Sequence, residues 1–389
     1  MRICLISREY PPETAWGGIG IYTYNLSHAL AELGHEVHVI TQAGKSAMDY
    51  IDEKVYLHRI LPKNVSARFI GCALDRLMYS YKVFKKLESI GCKFDIVEAP
   101  EWGAEGFVYA LTNKPLVTRL HTPLFLIKQS LSQKMSAIDK SINLLERTQT
   151  EHSSAISSPT KALAREAARS WGIDLSCITV IPNGINTKNI KSMKIEPDSI
   201  NSEYLVYVGR LEPRKGVHIL AKALRGMFEQ YPNLKMVFIG KDTIYGNGTM
   251  RTFILDINRN YKENIIFAGF VPENKKYSLI KHCKLVVLPS LWENFSYACL
   301  ESMALGKAII ASKNCGFEEI VEDNISGFLV EPGNYELLRK KIIDCLNAED
   351  KVRYVEKNAL KRIDEFDAMR ISREFVRYYE RKLSSYMKT

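Results

Sequence analysis

Lys284-Leu-Val-Val-Leu-Pro-Ser-Leu-Trp-Glu293-Asn-Phe-Ser-Tyr-Ala-Cys-Leu-Glu301-Ser-Met-Ala-Leu-Gly306 opens as a strand and closes as a helix. The apolar run up to Leu288 is bounded by Pro289 and Ser290, the mark of a strand buried on both faces. From Phe295 to Leu305, good helix formers present an apolar face of Phe295, Cys299, Leu300, Met303 and Ala304. Asn294 or Ser296 can cap the start of that helix, and Gly306 ends it. Strand, loop, helix is the repeating unit of a parallel α/β sheet.

Two carboxylates ride on this unit. Glu293 lies in the loop at the positive end of the helix, and Glu301 lies well along it. Eight residues of helix rise about 12 Å. A carboxylate accepts from both hydroxyls of a diol, which suits a ribose or a hexose. Backbone N–H groups at a helix start suit the oxygens of a diphosphate between them. The spacing therefore matches a nucleotide sugar laid out from ribose to sugar. A lone Glu pair is more often a helix cap and a solvated surface residue, so the rest of the chain decides.

A length of 389 residues predicts two domains, or three. The apolar run in Met1–Glu9 is too short for a signal peptide, and no stretch reaches the length of a membrane span. The eight cysteines (Cys4, Cys72, Cys92, Cys177, Cys283, Cys299, Cys315, Cys345) are scattered with no Cys-x-x-Cys pair. That spacing fits neither a disulfide framework nor a zinc site, and it predicts a reducing, cytoplasmic setting. The net charge of +10 points to nucleic acid, an anionic membrane face or phosphorylated ligands. Without zinc-finger spacing, an aromatic RNP-type strand or a basic helix beside heptads, nucleic acid is set aside.

In the first half, Arg2–Ser7 reads as a strand, Gly20–Leu33 as a helix stopped by Gly34, and Glu36–Thr41 as the next strand. This is a βαβ unit. The glycines at 17, 18 and 20 do not make a dinucleotide fingerprint, because about ten residues separate them from the strand end. Gly17-Gly18 lets backbone approach an anion or a sugar, or it is a loop hinge; both readings stand. Further strand-like runs are Val55–Ile60, Phe94–Glu98, Pro115–Leu120, Ala155–Ser158 and Thr179–Ile181. Polar candidates sit at their carboxyl ends: Glu98 and Glu101, His121 in the turn Arg119-Leu-His-Thr-Pro123, and Asn183-Gly184. Between 63 and 89, Arg68, Arg76, Lys82, Lys85 and Lys86 interleave with apolar residues. That is a helix for an anionic membrane surface, or an ordinary one with a solvated basic face.

In the second half, the polar segment Thr187–Ser202 reads as an interdomain linker. The strand Tyr204–Val208 then leads into Gly209-Arg210-Leu-Glu-Pro-Arg214-Lys215-Gly216, with a helix from Val217. Arg210 and Lys215, in a glycine-flanked loop at a strand's carboxyl end, suit a diphosphate. The chain contains no Asp-x-Asp, so no divalent metal is expected against the phosphates, and fixed cations would stabilise the departing group instead. Strands Lys235–Ile239, Asn264–Phe267, Lys284–Leu288, Lys307–Ala311 and Phe328–Val330 alternate with helices. Gly240-Lys-Asp242 and Gly269-Phe-Val271-Pro272 follow two of them and could line a nucleotide pocket. A helix from Arg370 to Leu383 closes the chain.

Taken in order and spacing, these residues resemble glycosyltransferase family 4, the glycosyl transferases group 1. The resemblance rests on Gly17-Gly18-Ile-Gly20, His121, Pro182-Asn-Gly184, Gly209-Arg210-Leu with Lys215-Gly216, and Glu293 with Glu301. It implies an α/β GT-B fold, two facing Rossmann-like parallel-sheet domains with a central cleft. Residues 1–187 would form the acceptor-side domain, joined by the closing helix 370–389, and residues 188–369 the nucleotide-sugar-binding domain.

By the same resemblance, Glu293, His121, Arg210 and Lys215 are the catalytic group. Arg210 and Lys215 hold the diphosphate and Glu301 the ribose, while Glu293 with Asn294, Phe295, Ser296 and Tyr297 holds the sugar. Gly18 and Val271 complete the donor site, and Gly17, Glu98, Glu101 and His121 face the acceptor. No cofactor and no metal are implied. Asn186 stands where the family usually has Asp, and Asn294 where Gly is frequent.

The implied activity is retaining, metal-independent hexosyl transfer from a nucleotide sugar to a saccharide or lipid-linked saccharide in cell-surface polysaccharide synthesis. A UDP-sugar is favoured, UDP-glucose first. The expected location is cytoplasmic, with peripheral contact at an anionic inner membrane face. Two alternatives stay open: a nucleotide-sugar epimerase of the same fold, which would need acid–base residues at C2 of the sugar, and a non-catalytic nucleotide-sugar-binding subunit.

Overall fold

The structure, a computed structural model, describes residues 1–14, 17–61, 71–112, 114–197 and 200–386. The chain divides into two compact units, Met1–Asn186 with Phe366–Thr389, and Thr187–Glu365.

The first unit is built on eight strands: β1 (Arg2–Ile6), β2 (Glu36–Gln42), β3 (Met48–Asp52), β4 (Val55–Ile60), β5 (Ile96–Pro100), β6 (Leu116–Arg119), β7 (Ala155–Ser158) and β8 (Ile178–Val180). Their order in the sheet is β3-β4-β2-β1-β5-β6-β7-β8. Every pairing is parallel except β3 with β4, an antiparallel edge that the sequence pattern did not disclose. β3 is largely exposed, so it lacks the apolar run by which a buried strand is recognised. The sheet is covered by helices that include Gly18–Glu32, Gly71–Ser89 and Ala137–Glu151. Its core gathers Cys4, Ile6, Ile40, Val97, Ala99 and Leu116 against Tyr79, Val83 and Leu87 of the Gly71–Ser89 helix. Of the basic stretch between 63 and 89, Arg68 lies outside the described residues; Lys82 and Lys86 are tied to Leu61 O and Asp49 of the same unit.

The last helix, Ala368–Tyr386, belongs to this unit and buries Phe375, Tyr378 and Tyr379. The chain enters it beside its own earlier course. Ile185 N donates to Phe366 O at 2.9 Å, and Ala368 N donates to Ile185 O at 2.9 Å. A Cβ on Gly184 would lie 2.8 Å from Ala368 Cα, so close backbone packing accounts for that glycine.

The second unit carries β9 (Tyr204–Val208), β10 (Lys235–Ile239), a small antiparallel hairpin β11 (Ile244–Tyr245) and β12 (Gly248–Thr249), then β13 (Ile265–Gly269), β14 (Leu285–Leu288), β15 (Ile309–Ser312) and β16 (Phe328–Val330). The main sheet runs β13-β10-β9-β14-β15-β16, all parallel. The four residues of β14 are all buried, as their unbroken apolar run requires. The polar segment expected as a bare linker instead starts with a helix, Thr187–Ser192, which buries Thr187 and Ile190 and pairs Lys191 with Asp364 at 2.5 Å. A six-residue helix has too few hydrogen bonds to stand alone, so its local sequence carries no visible period; packing forms it.

Candidate active site

In a doubly wound sheet the loops leaving two neighbouring strands diverge where the strand order reverses, and a crevice opens there. In the second unit that point lies between β9 and β14. The two loops that leave it are Gly209–Gly216 and Pro289–Ser296, the stretches that carry the expected cations and the first carboxylate.

Glycines let these loops lie backbone against backbone. Gly216 has φ +67°, and a Cβ there would sit 1.8 Å from Pro289 O. Leu291 N donates to Arg214 O at 2.8 Å, fixing one loop on the other. From the far side, Gly316 N donates to Glu293 O at 2.8 Å, and a Cβ on Gly316 would lie 1.5 Å from Asn294 O. The loop is thus clamped at Pro289 by Gly216 and at the Glu293-Asn294 corner by Gly316, two residues with no room for a side chain.

Inside the clamp, Lys215 Nζ donates to Glu293 Oε2 in a close ion pair. Arg214 Nη2 and Arg210 Nη2 share Glu212 Oε1, at 2.9 and 3.3 Å. Arg214 also reaches Trp292 O at 3.4 Å. The cluster therefore holds three cations against two carboxylates. Burial opposes the charge on both members of the Lys215–Glu293 pair. For Glu293 the fields of Lys215 and Arg214 outweigh burial, and its carboxyl is held below the ordinary value. For Lys215 burial, reinforced by Arg214, outweighs Glu293, and its ammonium is pulled below the ordinary value. The lowered Glu293 carboxyl reports the two cations beside it, whereas the lowered Lys215 ammonium reports chiefly its burial. Arg210 is the most exposed member, its side chain 62% accessible.

Glu301 is no solvated surface residue. It is buried on the helix Tyr297–Ala304, whose start is capped by Ser296 Oγ accepting from Cys299 N at 3.3 Å. Lys276, from the helix Glu273–His282, donates to Glu301 Oε1 at 2.8 Å. Burial pushes the Glu301 carboxyl up, and Lys276 only partly offsets it. Asn294, Phe295 and Tyr297 are buried in the same turn. Val271 is half-buried two residues beyond β13, at the same carboxyl end of the sheet.

The first unit reverses its strand order between β1 and β5. Here the structure separates the expected residues by task. Both oxygens of Glu98 are taken by hydroxyls, Tyr22 at 2.7 Å and Tyr379 at 2.8 Å, so Glu98 ties the Gly18–Glu32 helix, β5 and the closing helix together. Asn183 is likewise internal: its Oδ1 and Ile181 O each accept from Arg119 Nη2 at 2.7 Å. The Arg119 guanidinium lies 5.0 Å from the Tyr22 ring and 5.1 Å from the Phe375 ring. At the Gly17-Gly18 loop the chain supplies its own anion. Gly20 N donates to Glu9 Oε2 at 3.3 Å, and a Cβ on Gly17 would meet that oxygen at 2.2 Å, whereas one on Gly18 would meet nothing within 4 Å.

His121 stands edge-on to Tyr22, ring centres 5.0 Å apart. Burial and then Arg119 hold its pKa well below the ordinary value, so the ring is neutral. Its backbone N–H donates to Glu101 Oε2 at 2.7 Å, while Glu101 Oε1 has no partner among the described residues. Glu146, missed in the sequence, accepts from Gly103 N at 3.1 Å and Leu124 N at 3.0 Å. Burial and then the neighbouring Glu146 push Glu101 up to about 8, and burial pushes Glu146 up to about 7.

A carboxyl raised on folding stabilises the fold when protonated, so stability falls as pH rises from the ordinary carboxylate range through these values. Glu101→Gln keeps an acceptor for His121 N and removes the charge. It should flatten the fall in Tm between about pH 5 and 8 and raise Tm above that range by about 5 °C. A Tm–pH curve parallel to wild type would refute the assignment.

Arg214, Glu212, Lys276, Gly316, Tyr22 and Arg119 were not singled out as site residues from the sequence. Arg214 adjoins Lys215 and could have been; Lys276 pairs with a residue on another helix, which no local spacing announces.

The family model described as Glycosyl transferases group 1 matches residues 190–362, and the one described as Glycosyltransferase Family 4 matches residues 16–189. An uncharacterised glycosyltransferase of Methanocaldococcus jannaschii is 27% identical over 98% of both chains. Among solved structures, sucrose-phosphate synthase from Thermosynechococcus elongatus superposes with a TM-score of 0.81 at 19% identity, over 99% of each chain. Anabaena HepE, solved with UDP-glucose, gives a TM-score of 0.70 at 20% identity, over 99% of this chain and 100% of that one. The fold is GT-B-like.

Proposed function

This chain belongs to the group 1 glycosyltransferases of family 4, and from that premise we propose that it transfers a hexosyl group from a UDP-sugar, UDP-glucose first, to a hydroxyl of a saccharide or lipid-linked saccharide, with retention and without a metal. The acceptor hydroxyl attacks the anomeric carbon from the face the diphosphate leaves. The C1–O bond to phosphate breaks, UDP departs with both electrons, and the hydroxyl proton passes to the leaving phosphate oxygen. Arg210, Arg214 and Lys215 offset the charge that develops on that phosphate. Glu293 orients the sugar hydroxyls, and Glu301 holds the ribose diol. In the first unit, His121 is held neutral and offers a hydrogen-bonding ring. The build-up of a polysaccharide at an anionic membrane face is the setting that the charge of +10 favours.

The observation that carries this reading is the cluster of three cations on Glu212 and Glu293 at the strand-order reversal, its positive excess matched to a diphosphate. The choice of UDP is supported by HepE, whose structure holds UDP-glucose. The test is release of nucleoside diphosphate from UDP-, GDP- and ADP-sugars in chelator, with the anomeric configuration of the product read by NMR. UDP release with retention is expected. No release above the buffer rate from any donor would leave a binding subunit, and inversion would remove the front-face mechanism.

The two carboxylates should separate kinetically. Glu301→Ala removes contacts made equally in ground and transition state, so KM for the donor should rise about 10- to 100-fold with kcat little changed. Glu293→Ala should lower kcat about 100-fold with a smaller change in KM. Wild-type kinetics in both variants would sink these roles.

A further inference from the structure

At the opposite end of the first sheet from the strand carboxyl termini, a second cluster of ligating groups has no part in the chemistry above. Glu36 and His38 alternate on one face at the start of β2, and Cys92 comes from the segment leading into β5. One ligand atom from each lies within 4.8 Å of the other two. His38 Nε2 is 3.3 Å from Glu36 Oε1. In a tetrahedral zinc site, with Zn–N and Zn–O near 2.0–2.1 Å, a nitrogen and an oxygen ligand stand about 3.3 Å apart. The imidazole is held in place by Tyr56, stacked at 4.7 Å, and by Phe94, edge-on at 5.1 Å.

Hydrogen-bond accounting supplies an independent reason for a cation. His38 Nδ1 bonds His58 Nε2 at 2.9 Å, and His58 Nδ1 lies 3.2 Å from Asp49 Oδ1. The line Glu36–His38–His58–Asp49 thus has three links, but two neutral imidazoles carry only two ring protons. A metal ion on His38 Nε2 replaces the proton between His38 and Glu36. Each ring then shifts its proton from Nε2 to Nδ1, His38 donates to His58, and His58 donates to Asp49, which completes the outer support typical of metal-bound histidine. Glu36 Oε2 stays with Arg2, whose Nε is 3.0 Å away, leaving Oε1 to ligate.

We propose that Glu36, His38 and Cys92 form a binding site for a zinc-like divalent ion, with water in the fourth position and His58–Asp49 orienting the histidine. Binding forms M–N, M–O and M–S bonds and releases to solvent the one proton carried by the Cys92 thiol. The ion would join the start of β2 to the segment entering β5, a link across β1. No spacing rule in the sequence announces it, because two ligands are two residues apart and the third lies on a distant segment.

The test is titration of chelator-stripped full-length protein with Co²⁺ and Zn²⁺. A single saturable site per chain is expected, with a thiolate-to-cobalt charge-transfer band that Zn²⁺ erases. Cys92→Ser should abolish the band and weaken Zn²⁺ binding at least about tenfold, and Asp49→Asn, which touches no metal, should weaken it by about the same factor. His38→Gln should also abolish binding; if it fails to fold, Cys92→Ser, at a half-buried position, carries the test. Less than one ion bound per chain, or equal affinity in wild type and Cys92→Ser, would overturn the proposal.

Discussion

Lys215→Ala should lower turnover about 100- to 1000-fold, the loss expected when one fixed charge partner of a developing anion is removed. It should also cost about 3 kcal/mol of stability, because it strands a buried carboxylate. Glu293 is 6% exposed and would keep Arg214 as a neighbouring cation. The sign of the pH dependence follows. In the wild type the depressed Glu293 carboxyl contributes stability above the ordinary carboxylate pKa, and this is lost as pH falls through the lowered folded value. Without Lys215, burial dominates, the folded-state pKa rises, and the variant should gain relative stability as pH falls. Lys215→Ala with Glu293→Gln should recover most of the stability while leaving turnover low. The recovered stability measures the structural worth of the pair, while low turnover is expected from the loss of either partner. Recovery of turnover along with stability would overturn the catalytic roles of both Lys215 and Glu293.

Gly316→Ala is the second large effect. φ at Gly316 is −59°, which any residue adopts, so backbone strain plays no part. The added methyl would lie 1.5 Å from Asn294 O and 3.1 Å from Glu293 O. Something must move by more than 1 Å, and the obstacle is backbone, not the flexible tip of a side chain. Stability should fall by about 3 kcal/mol, the upper end of ordinary overpacking. If the corner yields instead, Glu293 is displaced, and a 1 Å misplacement costs about 100-fold in rate. Either way, Tm and kcat together should record a large loss. Gly18→Ala is the contrast, since its methyl meets nothing within 4 Å, and its Tm should stay within about 2 °C of wild type. A Gly316→Ala protein with wild-type Tm and kcat would mean the clamp is looser than drawn.

The fold was legible wherever burial is two-sided. Leu285–Leu288 and Tyr204–Val208 are runs that only a covered parallel strand would bury, and the turns after them carry the glycines that backbone contact demands. β3 and the Thr187–Ser192 helix were not legible: one is an exposed edge, and the other is too short to form without its neighbours. At the site, residue types and chain order pointed to Arg210, Lys215, Glu293 and Glu301. The sequence did not assign Glu98 to two tyrosine hydroxyls, or Asn183 to Arg119.

By itself, then, the sequence determined the alternation of strands and helices and the loops in which charge collects, because periodicity and turn chemistry are local. Only the tertiary structure decided which charges neutralise one another. Lys215 meets Glu293 from 78 residues away, Tyr379 reaches Glu98 from 281, and Cys92 comes within ligating distance of His38 across a sheet. Such pairings are set by strand order and by where backbone can approach backbone, and neither is written in any short window of the chain.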